Sequence, residues 1–115
     1  MILVIGGLAA GKREYVKKCY GYTDADISDA ELDDKPVIYN LQNLVEVSPH
    51  TSMELLPALL EKEVVICNEV GCGIVPIEAA TREAREATGR LCIELAAKAE
   101  KVVRVCCGIP VIIKG

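Results

Sequence analysis

The chain has 115 residues, 51% of them hydrophobic but none Phe or Trp, with a net charge of −4 and a pI near 5.0. That length bounds it to a single domain, residues 1–115, around one core. The acidic balance argues against nucleic acid or a membrane surface as partner. No apolar stretch reaches the roughly 18 residues of a transmembrane helix and the N-terminus lacks a charged n-region, so a cytoplasmic address is expected.

With the core left to Val, Ile, Leu and Ala, buried parallel strands covered by Ala-rich helices suit the composition. Ile2–Ile5 is the first strand. Residues Gly6–Lys12 then read Gly-Gly-Leu-Ala-Ala-Gly-Lys, a phosphate-cradling P-loop, and Lys12–Tyr20 follows as a helix. Strand, glycine loop and helix therefore come in the order the motif needs. Gly6, Gly7 and Gly11 let the loop through Leu8, Ala9 and Ala10 curl with its amides inward, and the helix N-terminus adds positive potential. Lys12 would reach the terminal phosphates. Arg13 stands where a Ser or Thr hydroxyl would ligate Mg²⁺, and a guanidinium has no lone pair to give. The loop thus suits phosphate without its usual metal ligand, and no other metal ligand is assigned.

Thr23–Asp34 carries six acidic residues and no base, which reads as a solvated loop or short connector. Pro36–Tyr39 is a second strand ending at Asn40, and Leu41–Val47 a short helix. Thr51–Glu54 has capping-box spacing, so a helix either starts near Ser52 and kinks at Pro57, or starts at Pro57 and runs to Lys62. Val64–Cys67 is a third strand. Ile77–Glu100 is the clearest helix, with Ala80, Ala84, Ala87, Leu91, Leu95 and Ala99 on one face, although Gly89 invites a break. Val102–Cys107 and Val111–Ile113 close the chain as strands joined by a turn at Gly108-Ile109-Pro110. The order implies an α/β fold, a three-layer α/β/α arrangement of the P-loop NTPase kind with a mostly parallel sheet and a C-terminal β-hairpin.

Six cysteines (Cys19, Cys67, Cys72, Cys92, Cys106 and Cys107) form no C-x-x-C pair, and four lie in apolar runs or on helix faces, where a reduced thiol packs as a small hydrophobe. Cys72 lies between two glycines, where a ligand could touch it. It belongs to the segment Asn68-Glu69-Val70-Gly71-Cys72-Gly73-Ile74-Val75-Pro76, just beyond the third strand. In an open parallel sheet, ligands gather beyond the carboxyl ends of the strands. Asn68 and Glu69 bring an amide and a carboxylate to that edge. The same residues also suit a loop that needs glycine for its turns, with Glu69 in a salt bridge; chemistry alone leaves both open.

This segment, the P-loop, and the run Arg82, Arg85, Glu86, Gly89, Leu95, Ala96, Val102, Val105, Gly108, Ile109 and Lys114 together resemble the adenosylcobinamide kinase/adenosylcobinamide-phosphate guanylyltransferase family of cobalamin biosynthesis. The likeness spans about two-thirds of the chain and runs without a gap from Val64 to Lys114. It implies a homo-oligomeric enzyme using GTP or ATP, with Mg²⁺ as the usual companion, to phosphorylate a corrinoid side chain. Guanylyl transfer through a histidine then follows. By that resemblance Gly6, Gly7, Leu8, Ala9, Ala10, Gly11, Lys12 and Arg13 hold the nucleotide, and Lys12 and Glu69 are catalytic. Asn68, Glu69, Val70, Gly71, Arg82 and Arg85 bind substrate, the arginines by their planar forks. The chain is shorter than typical members between Tyr20 and Val64, where the family keeps its guanylylated histidine. His50 lies in unlike surroundings. Asn40-Leu41-Gln42 replaces an acidic residue followed by Cys and Thr, and Cys92-Ile93 replaces Asn-Gln. Phosphoryl transfer is therefore expected ahead of guanylyl transfer. The alternatives are a non-catalytic relative that binds nucleotide, corrinoid or a partner enzyme, and a P-loop domain with an unrelated ligand.

Overall fold

The computed structural model describes residues 1–7, 10–68 and 79–115, with side chains from 82 onward in the last stretch. Six strands, β1 (Ile2–Gly6), β2 (Ile27–Asp29), β3 (Val37–Tyr39), β4 (Val64–Asn68), β5 (Lys101–Cys106) and β6 (Ile109–Lys114), form one sheet in the order β2-β3-β4-β1-β5-β6. All neighbours are parallel except β5 and β6, which form an antiparallel hairpin. The helices are α1 (Lys12–Tyr20), α2 (Leu41–Val47), α3 (Leu56–Leu60) and α4 (Ala79–Lys98). The expected α/β class, parallel sheet and terminal hairpin are all present.

Alternation along the strands sorts the core into two layers. Leu3, Ile38, Val65, Cys67 and Val102 face α2, α3 and α4 through Leu41, Leu59, Leu91 and Leu95. Val4, Val37, Ile66, Val103 and Val105 face the other way, toward Val16 of α1. Sheet residues are apolar on both faces because helices cover both.

Four local expectations change. The acidic stretch after α1 contains a strand: Ile27 is 7% and Ser28 3% exposed, and β2 pairs with β3. Its carboxylates accept local bonds instead of merely facing water. Asp26 Oδ2 accepts from Thr23 N at 2.9 Å, and Asp33 Oδ1 accepts from Ser28 Oγ and, at 2.9 Å, from Lys35 N. Second, the later of the two expected helix starts holds to within one residue, but the helix is shorter: Pro49–Leu55 is a 3₁₀ helix and the α-helix runs Leu56–Leu60, with Pro57 in its first turn. There its missing N–H costs nothing. Third, α4 continues through Gly89. Burying Leu91 and Leu95 gives about 1.5–3 kcal/mol each, against about 1 kcal/mol for the glycine.

The fourth change matters most for the site. The hairpin turn is Cys107-Gly108, both with positive φ (50° and 76°), and Cys106 pairs with Ile109. This is the two-residue turn whose twist matches the flanking strands. Pro110 consequently lies inside β6, which is tolerable because β6 is an edge strand.

Gly6 sits where a side chain cannot. A Cβ there would lie 2.4 Å from the Val105 carbonyl oxygen, whereas one at Gly7 would meet nothing within 4 Å. Gly6→Ala should lower the urea-unfolding free energy by about 1–3 kcal/mol. Gly7→Ala should leave it nearly unchanged; equal losses would mean that the crowding at Gly6 is relieved elsewhere.

Candidate functional site

β1 is the central strand of the carboxyl edge. Gly6 is paired with Asn68 of β4 on one side and Val105 of β5 on the other. The ends of β1 and β4 at Gly6 and Asn68 therefore lie side by side, about one strand spacing apart. Gly6, Gly7, Ala10, Gly11, Lys12 and Asn68 are brought together here. Leu8, Ala9, Glu69, Val70, Gly71 and Cys72 lie outside the described residues.

The loop folds back on itself and onto the hairpin. Ala10 N donates to Gly7 O at 3.2 Å, and Gly108 N donates to Ala10 O at 2.8 Å. Gly11 takes φ 90° immediately before α1, a conformation glycine adopts without strain. Lys12 is 4% exposed and folds its stem over Gly6, so that Nζ donates to Gly7 O at 2.6 Å. Burial pulls the lysine below its ordinary range, and Cys67 is its next electrostatic neighbour. Hydrogen bonding to Cys92, reinforced by burial, pushes the Cys67 thiol well up, so that neighbour stays neutral. Among the described residues Lys12 is in no ion pair. A buried cation at a helix N-terminus, held by one neutral carbonyl, makes a positive well.

Arg13 has a different fate. Its Nη2 donates to Asp24 Oδ1 at 2.6 Å, beside Lys17 Nζ at 3.0 Å, and its guanidinium lies 5.6 Å from the Tyr39 ring centroid. Hydrogen bonding from Lys17, then the Arg13 charge, holds the Asp24 carboxyl below the usual range. Arg13 Nε is buried without a hydrogen-bond partner among the described residues.

Beyond β4 a chain of polar side chains follows the same edge. Asn40, at φ 58°, turns the chain from β3 directly into α2. Its Nδ2 donates to Asp29 Oδ1 at 2.9 Å, and Gln42 Nε2 donates to Asn40 Oδ1 at 3.1 Å. Gln42 Oε1 in turn accepts from Asn68 N at 2.9 Å. Asp29 and Gln42 were not singled out in the sequence, because β2 hid among acidic residues and Gln42 opens a helix. The rule that strand ends carry the site would have found Gln42, three residues past the end of β3. Arg82 is exposed and Arg85 half-buried near the start of α4. His50 Nε2 lies 3.4 Å from Glu83 Oε2, with the histidine side chain 82% exposed.

Among the described residues at this edge, the usual P-loop ligand for Mg²⁺ is missing. Arg13 occupies the hydroxyl position, Asn40 the carboxylate position, and among the described residues no group of three or more His, Cys, Asp or Glu converges.

A parallel α/β sheet with a glycine loop and buried lysine at its carboxyl edge defines a P-loop-like domain. Residues 26–113 match the cobinamide kinase / cobinamide phosphate guanyltransferase family, and the chain belongs to that family. The match begins after α1, so the β1–α1 loop is read from its own residues. No curated protein matches the chain. Among the described residues no helix is long and apolar enough to cross a membrane.

Gln42 is the acceptor for a main-chain donor at the mouth of the site. Gln42→Ala should speed amide exchange at Asn68 by about tenfold or more, the price of an unpaired N–H. Unchanged exchange would mean that another acceptor serves that amide.

Proposed function

We propose that the chain binds a nucleoside triphosphate, GTP or ATP, in the β1–α1 loop and transfers its terminal phosphoryl group to a hydroxyl on a cobinamide-type corrinoid. The observation that carries this reading is Lys12: buried, lowered in pKa and without a carboxylate partner among the described residues. A polyphosphate would supply the missing counter-charge. Gly6, Gly7, Leu8, Ala9, Ala10 and Gly11 form the cradle, and Arg13 Nε offers a further donor. The acceptor hydroxyl would enter from the β4 side, bounded by Asn68, Glu69, Val70 and Gly71, with Arg82 and Arg85 pairing with its polar groups. Its oxygen bonds to the γ-phosphorus as the β,γ-bridge bond breaks, its proton passing to Glu69, and nucleoside diphosphate leaves. Lys12 and the loop amides stabilise the charge that develops on the transferring group.

Guanylyl transfer is the weaker half of the family's chemistry here. A covalent carrier needs a nucleophile, and His50, the single histidine, is paired with Glu83 on an exposed surface. A nucleotide-binding relative without turnover is the second reading, favoured by Arg13 engaging Asp24 in place of a metal-binding hydroxyl. Self-association also has a surface available: Ile109, Val111, Ile112 and Ile113 of edge strand β6 are 49–65% exposed.

Calorimetry with GTP, ATP and pyrophosphate tests the site. Lys12→Ala should weaken all three by about a hundredfold, since a charge-assisted phosphate contact is lost; undiminished affinity would remove the loop as the site. Incubation with γ-labelled nucleotide and cobinamide separates the readings, because a labelled corrinoid supports the kinase and tight binding without it supports the silent relative.

Protonation adds a second check. The free-state pKa of Lys12 is lowered and a bound anion raises it. Corrected for the titration of pyrophosphate itself, affinity should therefore hold steady below the free-state value and fall about tenfold per pH unit above it. The bend should lie below the 10.5 of ordinary lysine; a bend at or above 10.5 would contradict the buried charge.

A further inference from the structure

The amino edge of the sheet, at the far end of the strands from the phosphate loop, carries a cleft of about 470 Å³ that the reading above does not use. One wall is the chain entering β3, from Leu32 to Pro36; the other is the chain between α3 and β4, with Ala58 of α3 beside it. Main-chain bonding clamps the walls together, Glu63 N donating to Pro36 O at 2.9 Å. The volume falls within the roughly 300–1,000 Å³ of small-molecule sites. The length of β4, Val64–Asn68, separates this cleft from the carboxyl edge by about 13 Å.

Lys62 is the unusual residue here. It is 8% exposed, and its Nζ donates to Asp33 O and, at 2.6 Å, to Lys35 O. An ammonium has three protons to give. The third finds no acceptor among the described residues, and no carboxylate there forms an ion pair with the charge. A buried cation held only by neutral carbonyls calls for a counter-charge. The carboxylates that line the cleft are of two kinds. Asp33 Oδ1 is taken by Ser28 Oγ and Lys35 N, and Glu63 Oε1 by Tyr22 OH at 3.0 Å. Asp34 and Glu61 are exposed and in no ion pair among the described residues. A simple anion would satisfy Lys62 but meet four carboxylates. A simple cation would satisfy Asp34 and Glu61 but leave Lys62 unmatched.

We propose that the cleft binds a free α-amino acid with an aliphatic side chain. Its carboxylate accepts from Lys62 Nζ, its ammonium donates to Asp34 and Glu61, and its side chain lies against Leu32, Pro36 and Ala58. Leu32 packs on the core, which fixes the position of that apolar surface. None of the phosphate loop's residues takes part, so the two sites stand or fall separately.

Calorimetry on the full chain with L-leucine, L-alanine, leucinamide and 4-methylpentanoate tests each contact in turn, at mildly acidic pH where the amine of leucinamide is charged. L-Leucine should bind about tenfold or more tighter than L-alanine, because the longer side chain buries more apolar surface. Leucinamide lacks the carboxylate and 4-methylpentanoate lacks the ammonium. Each should bind about tenfold or more weaker than L-leucine, the loss of one charge-assisted contact. Asp34→Asn combined with Glu61→Gln should remove the advantage of L-leucine over 4-methylpentanoate and leave pyrophosphate affinity unchanged; both residues are exposed, so folding is not at stake. Lys62→Met should close the gap between L-leucine and leucinamide, and the leucinamide comparison reads the same contact in the unaltered chain should that variant fail to fold. If L-leucine gives neither heat nor a rise in the thermal-unfolding midpoint, or if it binds no better than both analogues, the amino-acid site is overturned. Pyrophosphate binding indifferent to Lys12→Ala would overturn the phosphate-loop reading alone.

Discussion

The site depends on how β1 is clamped. It lies between β4 and β5 in unbroken register, and its last residue faces Asn68 and Val105 at once. A strand buried on both faces and bonded on both edges cannot slip, because a one-residue shift would turn every apolar side chain to the wrong layer. Gly6 ends that strand under a carbonyl that leaves no space for a Cβ. The chain must therefore turn upward there, in a place fixed by the whole sheet. Catalytic loops need such a foundation, since a misplacement of about 1 Å can cost two orders of magnitude in rate.

Two cations adjacent in sequence show how burial divides electrostatic labour. Lys12 is enclosed, with only a neutral carbonyl for company, so its charge is poorly solvated and an anion would relieve it. The Arg13 side chain is more than a third exposed and its charge is already engaged by Asp24 and the Tyr39 ring, which leaves Nε as its one buried donor without a partner among the described residues. Its bond to Asp24 is screened by water and ties α1 to the segment leading into β2. The first cation is poised for a ligand; the second organises the scaffold.

Much of this was legible because it rests on periodicity and punctuation. The apolar runs of β1, β3 and β4, the glycine loop, and the small-residue stripe of α4 each follow from spacing alone. What escaped depended on tertiary partners. β2 is three residues long and flanked by carboxylates, so nothing local distinguishes it from a loop; its pairing with β3 makes it a strand. Gly89 was a reasonable place to end a helix until Leu91 and Leu95 found a sheet to pack on. The hairpin turn shifted by one residue because Cys107 accepts a left-handed backbone, a cost no sequence pattern announces. At the site, Lys12 and Asn68 could be named from motif and strand end. The Asp29–Asn40–Gln42 chain could not, since it joins side chains from β2, the β3–α2 junction and α2, whose adjacency only the sheet order reveals.

The β5–β6 hairpin is fastened at both ends. Its turn donates from Gly108 N to Ala10 O, and its far end donates from Lys114 Nζ to Ala96 O and Ala97 O, carbonyls in the last turn of α4. The outermost strand of the sheet is thus a brace running from the root of one helix to the tip of another. Two distant parts of the molecule, Ala10 ahead of α1 and the carbonyls that close α4, thus share one outer strand as their common anchor.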